Sequence, residues 1–409
     1  MSGRRSAPMG WLPFIAFGLI SCCLYGVGAG LRGDVGILLN PLSQQTGLSY
    51  ESVSFCVAAM QLVFGASQPA FGILANRTSS RLVLVLGALL FAASLLGMRA
   101  SVGFASLFLS LSVLFGLGAG AVSFGLILTS SVNFVGKSRA MAISGMLNAA
   151  AGMGSFALSP LLGALVQSGG LGLAVAAMLV PVLALIPIAL VVTSRDKRAE
   201  QGESGSEERL ELGPLMREAL GNRTFLLLVA GFTTCGFHMV IIESHLFSQY
   251  VSYGIDAQVA SWVFSLYGVF TIFGALLSGW LSTRVAKGRL LAFYYVFRAL
   301  WVLAFIFLSP KTALFAALFS AGLGMTGDAT VSPTSGLVSR EFSFSKVATL
   351  IGVLFFCHQV GAFASAWLGG ALFSATGSYT SLWLLDAALC LAAGVASAAI
   401  PEARPALPR

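Results

Sequence analysis

Apolar residues fall in long blocks along this chain, with short polar seams between them. Blocks close to or above the roughly 20 residues that cross a bilayer run over 11–32, 53–74, 82–100, 105–134, 141–166, 172–193, 224–250, 258–281, 290–308, 312–338, 348–373 and 381–399. Each predicts a helix, because lipid offers no partner to a bare backbone. Several exceed the minimum length, which predicts tilt or extension into the interface. The expected fold class is an all-α membrane protein of twelve transmembrane helices. One long polar stretch interrupts the blocks. It contains RDKRAEQGESGSEERLEL and predicts a mixed-charge tether over 194–223, flexible or partly helical. Within it, 214–220 predicts a short interfacial helix, with Pro214 suited to the first turn. The expected division is therefore 1–193, a linker over 194–223, and 224–409.

The two parts repeat. Gly145, Gly154, Gly163 and Gly170 recur 207 residues later as Gly352, Gly361, Gly370 and Gly377, with no gap, and Ala164-Leu165 recurs as Ala371-Leu372. This predicts two pseudo-symmetric six-helix bundles. The small-residue runs at 116–120, 152–154 and 322–324 are packing chemistry that lets helices approach closely.

Composition agrees with the pattern. Charged residues are 9% of the chain and hydrophobic ones 57%, against about 25% charged in a soluble domain. Of 23 basic residues, 19 lie in seams on one side, leaving Arg32, Arg99, Arg298 and Lys311 elsewhere. By the positive-inside rule both termini and the linker are expected in the cytoplasm of a multi-pass protein of the cytoplasmic (inner) membrane. The net charge of +8 is then topology, and no nucleic-acid partner is expected. The six cysteines lie inside apolar blocks without CxxC spacing, so neither disulfide nor metal site is expected, and no cofactor. Asn76 and Asn222 head glycosylation sequons on the cytoplasmic side, where they carry no meaning. The basic, then apolar, N-terminus has the look of a signal peptide. A retained first span is preferred because it keeps the span number even.

Twelve spans in two halves with a charged linker resemble the major facilitator superfamily. The loop after span 2 in that family reads roughly G-x-x-x-D-R-x-G-R-R. Here Gly72, Arg77 and Arg81 match, with Asn76 at the acidic position and Ser79 at the second glycine. The copy after span 8 has Gly279, Arg284, Gly288 and Arg289, with Thr283 at the acidic position. The resemblance implies that this loop latches one conformation. Both copies lack the acid that would do it, so their arginines are expected to bond helix C-terminal carbonyls instead. Gly154, Ser159, Pro160 and Gly163 loosely resemble an antiporter motif of the superfamily. Within it the chain looks like the monocarboxylate and oxalate/formate branch. The stretches that carry this are Gly33–Ser43, Pro333–Gly336, His358-Gln359 and Gly377–Tyr379. Arg32 falls where monocarboxylate transporters of that branch place a substrate-responsive lysine. The branch's acid–arginine pair in span 8 is absent, since 258–281 holds no charge.

Ionisable groups inside spans are functional candidates, and few exist. Arg32 near the outer end of span 1 is the candidate anion site, its guanidinium matched to a carboxylate. The other reading pairs Arg32 with Asp34 or lipid headgroups. Glu243, His238 and His245 in span 7 are candidate proton carriers. On a regular helix His238 and His245 share a face, and Glu243 stands about 140° from His238. Asn148 in span 5 and His358-Gln359 in span 11 are polar candidates for substrate binding near mid-membrane. Ala151, the repeat mate of His358, breaks the symmetry there. Arg298 and Asp328 are expected to form a buried structural ion pair. Asp386 has no evident partner.

The function this supports is secondary transport of a small organic anion, with a monocarboxylate first, by alternating access. It would be proton-coupled, or work by exchange against a counter-anion, with the protein a monomer. No Walker-type nucleotide loop is present, so a gradient must supply the energy. Efflux of drug-like compounds or metabolites is the alternative. A polytopic enzyme or sensor is remote: no HExxH or GxSxG motif appears, and the longest soluble stretch is the linker.

Overall fold

The computed structural model describes residues 10–196 and 212–401. Most of the charged tether and the chain ends carrying Arg4, Arg5, Arg404 and Arg409 lie outside the described residues. The spans are α1 (Trp11–Gly33), α2 (Tyr50–Arg77), α3 (Ser80–Ala100) and α4 (Phe104–Val135). Next, Ala140–Val192 continues as one helical run bent at Gly169 and Gly170, where Gly170 has φ +66°. That left-handed residue has no Cβ to clash, and it divides α5 (140–168) from α6 (171–192). The remaining spans are α7 (Arg223–Ser252), α8 (Ala257–Leu281), α9 (Lys287–Leu308), α10 (Ala313–Glu341), α11 (Ser345–Thr376) and α12 (Thr380–Ala398). The short helix on the tether is Leu212–Gly221, burying Leu215 and Ala219.

Local chemistry sets several starts. Ser49, Ser79, Asn222 and Asp256 each accept a backbone N–H from the first turn of α2, α3, α7 and α8, satisfying donors the helix leaves open. The repeat is visible in the backbone itself. α4 breaks at Val122 and Ser123, and α10 breaks over Gly327–Thr330, positions that correspond at the 207-residue offset. Gly154 of α5 has no room for a Cβ against Gly26 of α1, and Gly361 of α11 has none against Thr233 of α7. Those two pairs also correspond at that offset. Two six-helix bundles of the same design result.

The bundles meet unevenly. Call the side where α1 begins and α12 ends the terminal side, and the opposite side the far side. The close approaches between bundles run from mid-membrane to the far side. Gly152 abuts Gly268, Gly65 abuts Gln359, Gly163 abuts Ser261, and Gly370 abuts Ser54. Gly36, just past α1, leaves no space against the carbonyls of Glu243 and Ser244. On the terminal side of the same helices, Gly72, Gly145 and Gly352 have nothing within 4 Å of where a Cβ would stand. The far side is therefore closed, and the groove between the bundles opens to the terminal side.

The Arg298–Asp328 ion pair expected from sequence does not form. Arg298 is fully buried and donates to the carbonyls of Thr326 and Gly327, the latter at 2.8 Å. These carbonyls lose helical partners where α10 breaks, so the guanidinium acts as a cap inside the membrane. Tyr295 lies below it, with the guanidinium carbon 5.4 Å from the ring centre.

Candidate functional site

Arg32 and Glu243 meet across the bundle boundary. Arg32 occupies the last turn of α1. Glu243 lies in a π-helical turn, Ile242–Leu246, within α7. A wide turn adds a residue to the helical register and re-aims the side chains beyond it. The guanidinium donates to Glu243 Oε2 at 2.8 Å and to Oε1 at 3.1 Å, the two-pronged geometry that suits arginine to carboxylate. Gln61 of α2 completes the group: its Oε1 accepts from Arg32 at 3.2 Å, and its Nε2 donates to Glu243 at 3.4 Å. Phe64 of α2 lies under the guanidinium, 5.0 Å from its carbon to the ring centre. The Arg32 side chain keeps 19% exposure and Glu243 7%, so water can still reach the pair.

Arg32 thus takes Glu243 and not Asp34 as its acidic partner. The other basic residues within or beside the spans lie elsewhere. Arg298 is walled in at the α10 break, Arg99 is exposed at the end of α3, and Lys311 sits in the α9–α10 connection donating to the carbonyls of Phe305 and Ile306.

The three α7 candidates part company. A regular helix would put His238 and His245 on one face; the π-turn between them gives them different neighbours. His238 Nδ1 is 2.7 Å from Asp386 Oδ2 of α12, with both side chains fully buried. This supplies the partner the sequence left Asp386 without. Cys390, one turn on, lies 3.8 Å from Asp386 Oδ1. His238, Asp386 and Cys390 place ligand-type atoms within 4.8 Å of one another, a cluster the cysteine spacing gave no hint of. His245 Nε2 is 2.9 Å from the carbonyl of Ala366, so that nitrogen carries the hydrogen. Nδ1 then accepts from the Tyr50 hydroxyl at 3.1 Å, and Tyr50 accepts from Tyr379 at 2.9 Å. Since Tyr50 belongs to α2, this chain of hydrogen bonds also crosses the bundles. Of the three, only Glu243 reaches Arg32.

The mid-membrane candidates fall below that group. On α2, Gly65 lies one turn beyond Gln61, and the Gln359 side chain packs against it. Gln359 Oε1 and His358 Nδ1 are buried without partners. The His358 ring packs on Phe232, 5.1 Å between centres. Asn148 is exposed and donates back to the Ser144 carbonyl at 3.0 Å, so it touches none of the others. Sequence reasoning missed Gln61 and Tyr50, uncharged residues whose only signal was polarity in an apolar span.

Among the described residues, Arg77, Arg81 and Arg284 do not bond helix-end carbonyls. Arg81 reaches the Thr193 hydroxyl at 3.4 Å, and Arg284 covers the Trp280 ring at 4.3 Å. Gly72 lies in open surroundings near the end of α2, and a Cβ at Gly279 near the end of α8 would stand in ordinary contact with the Ser332 hydroxyl, at 3.9 Å.

Comparison with known proteins bears on this arrangement. The MFS-type transporter YcxA of Bacillus subtilis is 26% identical over 414 residues, covering 95% of this chain and 93% of the relative. Monocarboxylate transporter 12 of Rattus norvegicus is 28% identical, covering 94% and 84%; its Mus musculus counterpart is 28% identical over 78% and 71%. A crystal structure of a D-xylose-proton symporter superposes over 96% of this chain and 99% of that chain, with TM-score 0.74 and 13% identity. A family model matches residues 16–366 and 246–409, so with its twelve helices in two bundles this chain belongs to the Major Facilitator Superfamily.

Proposed function

We propose that this transporter carries a small organic anion, a monocarboxylate first among them, and couples its movement to protons through Glu243. One observation carries the reading: Arg32 already holds a carboxylate two-pronged at the bundle boundary. A substrate carboxylate fits the same fork. If Glu243 takes a proton it releases Arg32 to the substrate, and the charge count stays balanced at one cation and one anion. Gln61, bonded to both, holds the fork in place during the exchange. Gln359 and His358 offer unpaired polar atoms one turn below, where the rest of a small polar substrate would lie; Asn148 is assigned to the groove wall. The similarity to monocarboxylate transporter 12 supports the same class of cargo.

On this reading 1–193 and 224–409 are the moving units, and 194–223 is the tether between them. The distribution of basic residues supports a cytoplasmic terminal side, and on this reading the protein works in the cytoplasmic membrane as a monomer. Transport would then proceed by rocking the bundles about the midplane, with Gly72, Arg77, Arg81, Gly279 and Arg284 at the hinge-side loops.

The test is uptake of radiolabelled monocarboxylates into proteoliposomes. Saturable uptake that rises when the outside is made acidic supports the reading. No uptake of any short carboxylate, with export of amphipathic cations instead, would move the assignment to drug efflux.

A further inference from the structure

Asp34 comes directly after the last turn of α1 and is completely buried. Neither of its carboxyl oxygens has a hydrogen-bond partner. The cation two residues before it, Arg32, is occupied by both oxygens of Glu243. The side chains that face Asp34 are Ser155 and Ser159 of α5, and the charge felt from α7 is that of Glu243, which repels a second anion. The Ser159 hydroxyl is itself unpartnered.

An ionised carboxyl buried with no cation beside it, a second anion near, and only two serine hydroxyls facing it is costlier than the neutral acid. The neutral acid also brings an O–H that the Ser159 oxygen can accept. Position gives this a consequence. A Cβ at Gly33 would lie 2.9 Å from the Ser155 hydroxyl, and Gly36 abuts the carbonyls of Glu243 and Ser244. Asp34 therefore stands where α1, α5 and α7 converge, at a joint that must part for the far side to open. Once it parts, water reaches the carboxyl and it ionises as an ordinary aspartate does.

We propose that Asp34 is a proton-binding site that takes one proton from the far-side water when that side closes and returns it when that side opens. The site differs from Glu243, whose proton is exchanged against cargo for Arg32. The inference rests on the rocking motion of the proposed function but on no choice of cargo. Acid on the far side then favours the closed form, loaded or empty.

Infrared spectroscopy of the purified protein tests the site directly. The wild type should show the carbonyl stretch of a neutral carboxyl at neutral pH. Asp34→Asn should lose that band while Glu243→Gln keeps it. No such band in the wild type, or an unchanged spectrum in Asp34→Asn, overturns the proposal. Should Asp34→Asn not fold, Ser159→Ala keeps the carboxyl and removes its neighbouring hydroxyl; the band should shift, and an unshifted band overturns the proposal. Spin labels at the far ends of α1 and α7 test the motion. The open population should rise with pH in the wild type by up to about tenfold per unit, the limit for one proton, and should lose that slope in Asp34→Asn. A slope retained in Asp34→Asn overturns the proposal. Absent monocarboxylate uptake with band and slope intact would remove the cargo assignment and leave Asp34 in place.

Discussion

A guanidinium can take a new carboxylate only by giving up the one it holds, and this ties Arg32 and Glu243 to one fate. Arg32→Ala is expected to abolish monocarboxylate uptake at unchanged expression. Arg32→Lys keeps the charge but loses the fork, and its apparent affinity should fall on the order of tenfold or more, the value of a charge-assisted hydrogen bond. Uptake with ordinary affinity in Arg32→Ala would remove Arg32 from the site. Glu243→Gln mimics the protonated form. It should keep exchange of labelled for unlabelled anion and lose the stimulation by external acid; acid stimulation that survives would place the proton elsewhere. Both residues were legible in the sequence because a charge in an apolar span stands out. Their pairing was not, since 211 positions separate them and only the packing of α1 on α7 brings them together. Gln61 was invisible for a different reason: an uncharged amide in a span has many bland explanations, and its role appears only once both partners are placed.

Helix ends and breaks decide what the elements require. Arg298 was recognised from sequence as structural, and its depth matched Asp328. Matching depth does not fix which group on α10 it meets. The break over Gly327–Thr330 presents bare carbonyls, and these outcompete the carboxylate for the guanidinium. Arg298→Ala should therefore lower thermal stability, by about 1–3 kcal/mol for each buried carbonyl left without a donor. Asp328→Ala should change it little, and the double variant should add without rescue. A double variant milder than Arg298→Ala would reinstate the pair. The repeated glycines offer a second contrast. Gly154→Ala and Gly361→Ala force a Cβ into a facing backbone and should cut the yield of folded protein, while Gly145→Ala and Gly352→Ala meet open space and should not. Equal yields from all four would mean that the helices can part at no cost. The sequence repeat marked all four glycines alike. Only the helix crossings show that two are contact points and two face the groove.

At the scale of the whole molecule, the two bundles are held closed on the far side by polar groups as well as by glycine contacts. Tyr50 of α2 donates to His245 and accepts from Tyr379, so a single hydroxyl joins the first bundle to two elements of the second. His245 gives its other nitrogen to Ala366, which fixes the tautomer and leaves Nδ1 able only to accept. Tyr50→Phe removes both cross-bundle bonds and keeps the ring packed on Phe373, 5.3 Å between centres. Two net bonds of about 0.5–1.5 kcal/mol each amount to roughly a 5- to 150-fold shift in the balance between closed and open far sides. The shift can be read at Asn148, which is exposed on α5. With the six native cysteines replaced by serine, Asn148→Cys should react with a maleimide supplied from the terminal side. Adding Tyr50→Phe should slow that reaction, because opening the far side closes the terminal groove over α5. A rate that does not change would mean that glycine packing alone sets the resting conformation. The hydroxyl chain would then be a consequence of closure and not one of its causes.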